Sequence, residues 1–182
     1  MRAGINRAMT QTRTFATDKI YDQLNLTKTY IRNRMIIDKA IKGSVKPARI
    51  YAGEQPILLS RYSTNRQIKN PDNKWTIAPD KPVRGIKVKR AGSSVTVEDA
   101  FYMVLPNSNA LGIVRRRIGE INPKTGKEKI KVLFGPDVDQ ALKSDKKGPS
   151  ILSQMAPFGA DRAVIEIAQF MNGVLKRQFP KE

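Results

Sequence analysis

The sequence predicts an α+β fold: one domain in which a long N-terminal helix and a C-terminal helix pack on an antiparallel β-sheet of about four to six strands, with a long extended arm. Three observations carry the prediction. Apolar residues recur every three or four positions near both ends of the chain, as one face of a helix requires. Between those ends lie short apolar runs of period two, parted by Gly, Pro, Asn and Ser. The order is helices, then sheet, then helix, without an internal repeat, which points to helices on one face of an antiparallel sheet.

Residues 1–34 form the N-terminal helical region. Ile5, Ala8, Met9, Thr12, Ala16, Ile20 and Leu24 share one helical face, and Arg2, Arg7, Arg13 and Lys19 lie mostly off it. Asn25 and Leu26 break the pattern, and Thr27 is placed to cap a short helix over 28–34. Residues 35–60 read as three short strands in a meander: 35–41, then 47–52 after the turn signal Lys42-Gly43-Ser44, then 57–59 after a break at Gly53–Pro56. Residues 61–84 carry three prolines and little periodicity, and read as a long loop or arm. Trp75 and Ile77 are apolar in that polar setting, which makes them candidate anchors on a neighbouring subunit.

Residues 85–134 read as the antiparallel sheet. Gly85–Arg90 alternates, with Ile86 and Val88 on one face and Lys87 and Lys89 on the other. Strands follow over 95–97, 100–104, 111–118 and 129–134, and Asn122–Gly126 is a turn joining the last two. In residues 135–182, Gly135-Pro136 ends the sheet and Val138, Ala141 and Leu142 fit a short helix. Ser144–Ser150 is a charged break. Asp161 is expected to cap the terminal helix, whose apolar stripe is Val164, Ile165, Ala168, Met171 and Leu175.

Composition bounds the chemistry. The chain has no Cys and no His, which removes disulfides, thiol chemistry, the commonest metal ligands, and Ser–His or Cys–His nucleophile pairs. A carboxylate metal site remains open, and Asp72, Asp80, Glu98, Asp99, Asp137 and Asp139 are the acids a Mg²⁺ nuclease would draw on. Asp137 and Asp139 read instead as charges at a helix start, and Glu98 and Asp99 as solvated acids at a bend. The expectation is a protein that is not an enzyme and holds no cofactor and no metal. No apolar run approaches the ~20 residues of a membrane span, and the N-terminus lacks a signal-peptide core.

The net charge is +18, from 34 Lys/Arg and 16 Asp/Glu, and it is uneven. Residues 1–90 hold 20 basic and 6 acidic side chains, and residues 91–182 hold 14 and 10. Such an excess calls for an acidic partner, nucleic acid or protein. Three basic clusters are candidate contacts to a partner or a DNA backbone: Arg32, Arg34 and Arg49, with Lys39, Lys42 and Lys46 nearby in sequence; Lys87, Lys89 and Arg90; and Arg115, Arg116 and Arg117. Each also fits a solvated face that discourages edge-to-edge aggregation. Aromatic residues are not interleaved with the basic ones, which argues against readout of bases.

Several stretches carry a resemblance. Ile5-Asn6-Arg7-Ala8 with Arg13-Thr14, then Leu26, Ile31-Arg32, Arg34, Ile37 and Lys39-Ala40, then Pro56-Ile57 and Leu59-Ser60-Arg61-Tyr62, and later Val132–Val138 before a terminal amphipathic helix, resemble the minor tail protein Z, or tail completion, family of long-tailed bacteriophages. The resemblance runs from Ile5 to about Arg177 through loose motifs. It implies a virion protein of the phage neck, assembled in the host cytoplasm. Such a subunit forms a homo-oligomeric ring at the head-proximal end of the tail, through which DNA passes. The implied partners are tail tube or tail terminator proteins, head–tail connector proteins, and double-stranded DNA without sequence preference; no membrane is implied. A free-standing, sequence-nonspecific nucleic-acid-binding protein explains the charge equally well.

Overall fold

Small side chains dominate the buried face of the first helix, and they set how closely its neighbour approaches. The computed structural model describes residues 2–41, 48–64, 83–146 and 148–178. Within it, helix α1 (Arg2–Gln23) buries Gly4, Ala8, Thr12, Ala16, Thr17 and Ile20. The hydroxyls of Thr12 and Thr17 donate to the carbonyls of Ala8 (2.9 Å) and Arg13 (2.8 Å), so neither is buried unpaired. This stripe receives the C-terminal helix α4 (Ile151–Gln178) at close range: a Cβ on Gly159 would lie 3.1 Å from Thr12 Oγ1. Phe15 and Phe158 stack across the seam with centroids 4.4 Å apart.

The contacts gather into two compact units. The first contains α1, α4, α2 (Lys28–Arg34), the antiparallel hairpin of β1 (Met35–Asp38) and β2 (Arg49–Ala52), and α3 (Val138–Lys143). Its core is Ala8, Ala16, Ile20, Ile31, Met35, Val138, Leu142, Ile151 and Met155. Thr27 caps α2 as expected, accepting from the Tyr30 amide at 3.3 Å.

The second unit contains Leu24–Leu26 and the elements from Gln55 to Asp137. Here β3 (Ile57–Leu58) pairs with β9 (Phe134–Gly135), β4 (Val83–Ile86) with β5 (Val95–Val97), and β6 (Ala100–Leu105) with β7 (Ala110–Ile121), which also pairs with β8 (Glu128–Val132). All pairs are antiparallel. Tyr62 is fully buried in the 3₁₀ turn Leu59–Tyr62 and donates its hydroxyl to the Pro136 carbonyl at 2.6 Å. Ile57, Val83, Ile86, Ala100, Tyr102, Ile113 and Val114 pack with it as the core.

The α+β class stands, and four details of the expectation change. Among the described residues the strands form four small sheets in place of one. The run at 57–59 leaves the expected meander, because its partner β9 lies far along the chain and a local pattern carries no sign of that pairing. Of the run expected at 85–90, only Gly85 and Ile86 are strand, as the end of β4: beyond them the Lys87 amide donates to the Tyr62 carbonyl and the Val88 carbonyl accepts from Asn25, which draws the backbone away. The terminal helix begins at Ile151, with Ser150 accepting from the Ser153 amide at 3.1 Å, so Asp161 is an exposed mid-helix residue and not a cap. Pro157 and Gly159 read as breakers in sequence; tertiary packing of Ile151, Met155 and Phe158 carries the helix through them. The turn at Lys42–Ser44 and all of the arm between Thr64 and Val83 lie outside the described residues.

Candidate functional site

Three features stand apart from the two cores: a basic β-ribbon, a scattered set of cations on α2 and β2, and the far half of α4.

The ribbon is the part of β7–β8 that outruns its neighbour. Strand β6 begins at Ala100, which lies opposite Arg115. Past that point β7 has only β8 beside it, and every residue of β7 from Arg115 to Ile121 is exposed, whichever way it points. Residues 115–131 hold seven Lys/Arg and two Glu. The register places Arg115 opposite Lys131 and Arg116 opposite Ile130, then shifts before Ile121 pairs with Glu128. Gly119, at φ +82°, sits in this bulge. The tip closes through the Asn122 amide on the Lys127 carbonyl (2.8 Å) and Lys124 amide on Asn122 Oδ1 (3.0 Å).

Within the ribbon the cations have different employments. Arg117 is forked onto Glu120 at 3.2 and 3.1 Å, and Lys129 Nζ lies 3.7 Å from the same carboxylate. Arg116 covers the Phe101 ring at 5.4 Å from its centroid. Arg115 donates to the Glu98 carbonyl at 3.0 Å. Lys131 has no carboxylate within ion-pair distance among the described residues, although it faces Arg115 directly. Like charges directly opposed on a sheet destabilise it. The three arginines of one cluster that sequence reading singled out thus share a ribbon with Lys124, Lys127, Lys129 and Lys131, which it passed over. Their signal was present in the alternation of Lys129, Ile130 and Lys131, but only the register shows that Lys131 opposes Arg115.

The other clusters do not assemble into a patch. Arg32 is exposed at the end of α2, while Arg34 donates to the Tyr30 hydroxyl (3.0 Å) and covers its ring. Arg49 is exposed opposite Asp38, at the far end of the hairpin from Met35, roughly 10 Å along the strand from the end next to Arg34. Lys87 is half-buried and Lys89 exposed, bridging to Leu24. Arg90 donates to the carbonyls of Leu26 (2.8 Å) and Leu24 (3.5 Å), so its guanidinium holds the chain together. Trp75, Ile77, Lys42 and Lys46 lie outside the described residues.

No family model, characterised protein or solved structure matches the chain. Among the described residues no three carboxylates gather as a metal site would need, and no helix is long and apolar enough to cross a membrane. The buried acid Glu166 accepts from Gln11 Nε2 at 3.0 Å and lies 3.7 Å from Arg7, an arrangement that fastens α4 to α1.

The terminal helix presents the third feature. The stripe expected to face the core is instead turned to water: Val164 is 67% exposed, Ile165 43%, Met171 48% and Leu175 49%, and Phe170 beside them is 44%. Gly4 of α1 lies against Glu166, and α1 begins at Arg2, so the last three turns of α4 extend past it.

Proposed function

We propose that the protein is a structural subunit of a long-tailed phage: a tail completion protein whose copies form a ring at the head-proximal end of the tail, where the genome passes. The apolar stripe of α4 is the observation that carries this reading. Val164, Met171 and Leu175, 67%, 48% and 49% exposed, share one helical face, and Ile165 and Phe170, 43% and 44% exposed, stand on either side of it. A contiguous patch of that kind marks a protein–protein contact, and a ring subunit needs one on each flank. The motifs that resemble the tail completion family and the basic excess, suited to acidic neighbours or DNA, point the same way.

Light scattering coupled to size-exclusion chromatography, with and without tail tubes, tests the reading. A closed oligomer or association with tubes is expected. A chain that stays monomeric at high concentration and ignores tubes removes it. The second reading, a free-standing nonspecific nucleic-acid-binding protein, is favoured by the basic ribbon; duplex binding without tube association would select it.

A further inference from the structure

We infer that the β7–β8 ribbon is a duplex-binding arm that lies along a groove of double-stranded nucleic acid and contacts the phosphates on both walls. The inference deepens the ring reading, on which it rests for its setting, and it concerns a different element from the α4 stripe.

The ribbon has no packing of its own to explain it. A two-stranded hairpin is marginal in water, and this one leaves all of Arg115–Ile121 exposed. It also opposes Arg115 to Lys131 with no carboxylate at hand, an arrangement whose repulsion an external anion would relieve. Charge complementarity identifies that anion. Cations line one face and the tip, with Arg115, Lys129 and Lys131 on the face and Lys124 and Lys127 at the turn, while the other face carries Arg116, held on Phe101, beside Ile130. A groove of a duplex has a phosphate backbone on each wall, and the major groove, about 12 Å wide, admits a two-stranded ribbon. Side chains two apart along a strand stand roughly 7 Å apart, so Lys129 and Lys131 stand one such step apart on the same face.

The test uses the full chain and a mixed-sequence 25-base-pair DNA duplex labelled with fluorescein, read by anisotropy from 50 to 200 mM salt. Arg115→Gln with Lys131→Gln is expected to weaken binding at least tenfold at 100 mM salt and to flatten the salt slope by about two. Lys124→Gln with Lys127→Gln alters only the tip, where a folding defect is not expected, and should act in the same direction. A charge-matched control, Arg2→Gln with Lys19→Gln on α1, should lose far less. Equal losses for ribbon and control pairs, or no binding by the parent at 50 mM salt, would overturn the inference. So would ribbon variants that keep the duplex but lose tail tubes, since the arm would then face an acidic protein. A parent that binds duplex through the ribbon yet forms no ring sinks the ring reading alone.

Discussion

Tyr62 shows how one residue can fix a neighbour's identity. Its ring is fully buried, and a Cβ on Gly135 would lie 2.5 Å from its Cε2 atom. Gly135→Ala must displace either the ring or strand β9, and the hydrogen bond from Tyr62 to Pro136 with it. A loss of about 1–3 kcal/mol is expected from urea unfolding. Gly53→Ala, which meets nothing within 4 Å, should be neutral or slightly stabilising; equal effects at the two sites would refute the account. Lys143 gives a prediction in pH. Its Nζ lies 2.7 Å from Asp139, one helical turn away, and 3.7 Å from Glu54. The hydrogen bond to Asp139, with the charges of Asp139 and Glu54, raises its pKa above the ordinary 10.5. A raised folded value means the contribution is complete below about 10.5 and fades as pH rises through the folded value. The stability gap between the parent and Lys143→Met should therefore be flat from pH 7 to 9.5 and narrow as the pH rises past 10.5; a gap that does not narrow would assign it to packing of the side-chain stem.

At the scale of the element, α4 persists through residues that ordinarily end a helix. Pro157 cannot donate to the Ser153 carbonyl and its ring crowds that group. Burial of Ile151 and Met155, the Phe15–Phe158 stack and the close seam at Gly159 offset the cost. Pro157 itself is exposed. Pro157→Ala should restore the missing bond and raise stability by about 1–3 kcal/mol, seen as a higher midpoint in thermal unfolding. A lower midpoint would mean that the seam needs a bend that proline imposes. The same element shows why the helix start was illegible in the chain: Ser-Gln-Met-Ala-Pro-Phe-Gly looks like a break by propensity, and the contacts that override propensity come from Thr12 and Phe15, far away in sequence.

At the scale of the whole molecule, the second half of α4 exposes a group of large apolar side chains, and the β7–β8 ribbon exposes its basic residues together with Ile118, Ile121 and Ile130; each belongs to a unit whose core does not use it. Val164→Lys with Met171→Lys changes side chains that are 67% and 48% exposed. The folded chain should keep its stability within about 1 kcal/mol while assembly measured by light scattering is lost. Unfolding of the variant would instead make the stripe part of the subunit's own core.

Local pattern determined much of this protein. The first helix, the cap at Thr27, the short helix behind it, the turn at 122–126 and the short helix after Pro136 were all legible, because each depends on neighbours within a few residues. Tertiary structure alone decided three things. It decided that 57–58 pairs with 134–135, that the helix begins at Ile151, and that Val164, Met171 and Leu175 face water. Hydrophobic spacing reports that a helix has an apolar face, but the side that face turns to depends on which segments reach it, and α1 packs on the other side of α4, against Gly159 and Glu166.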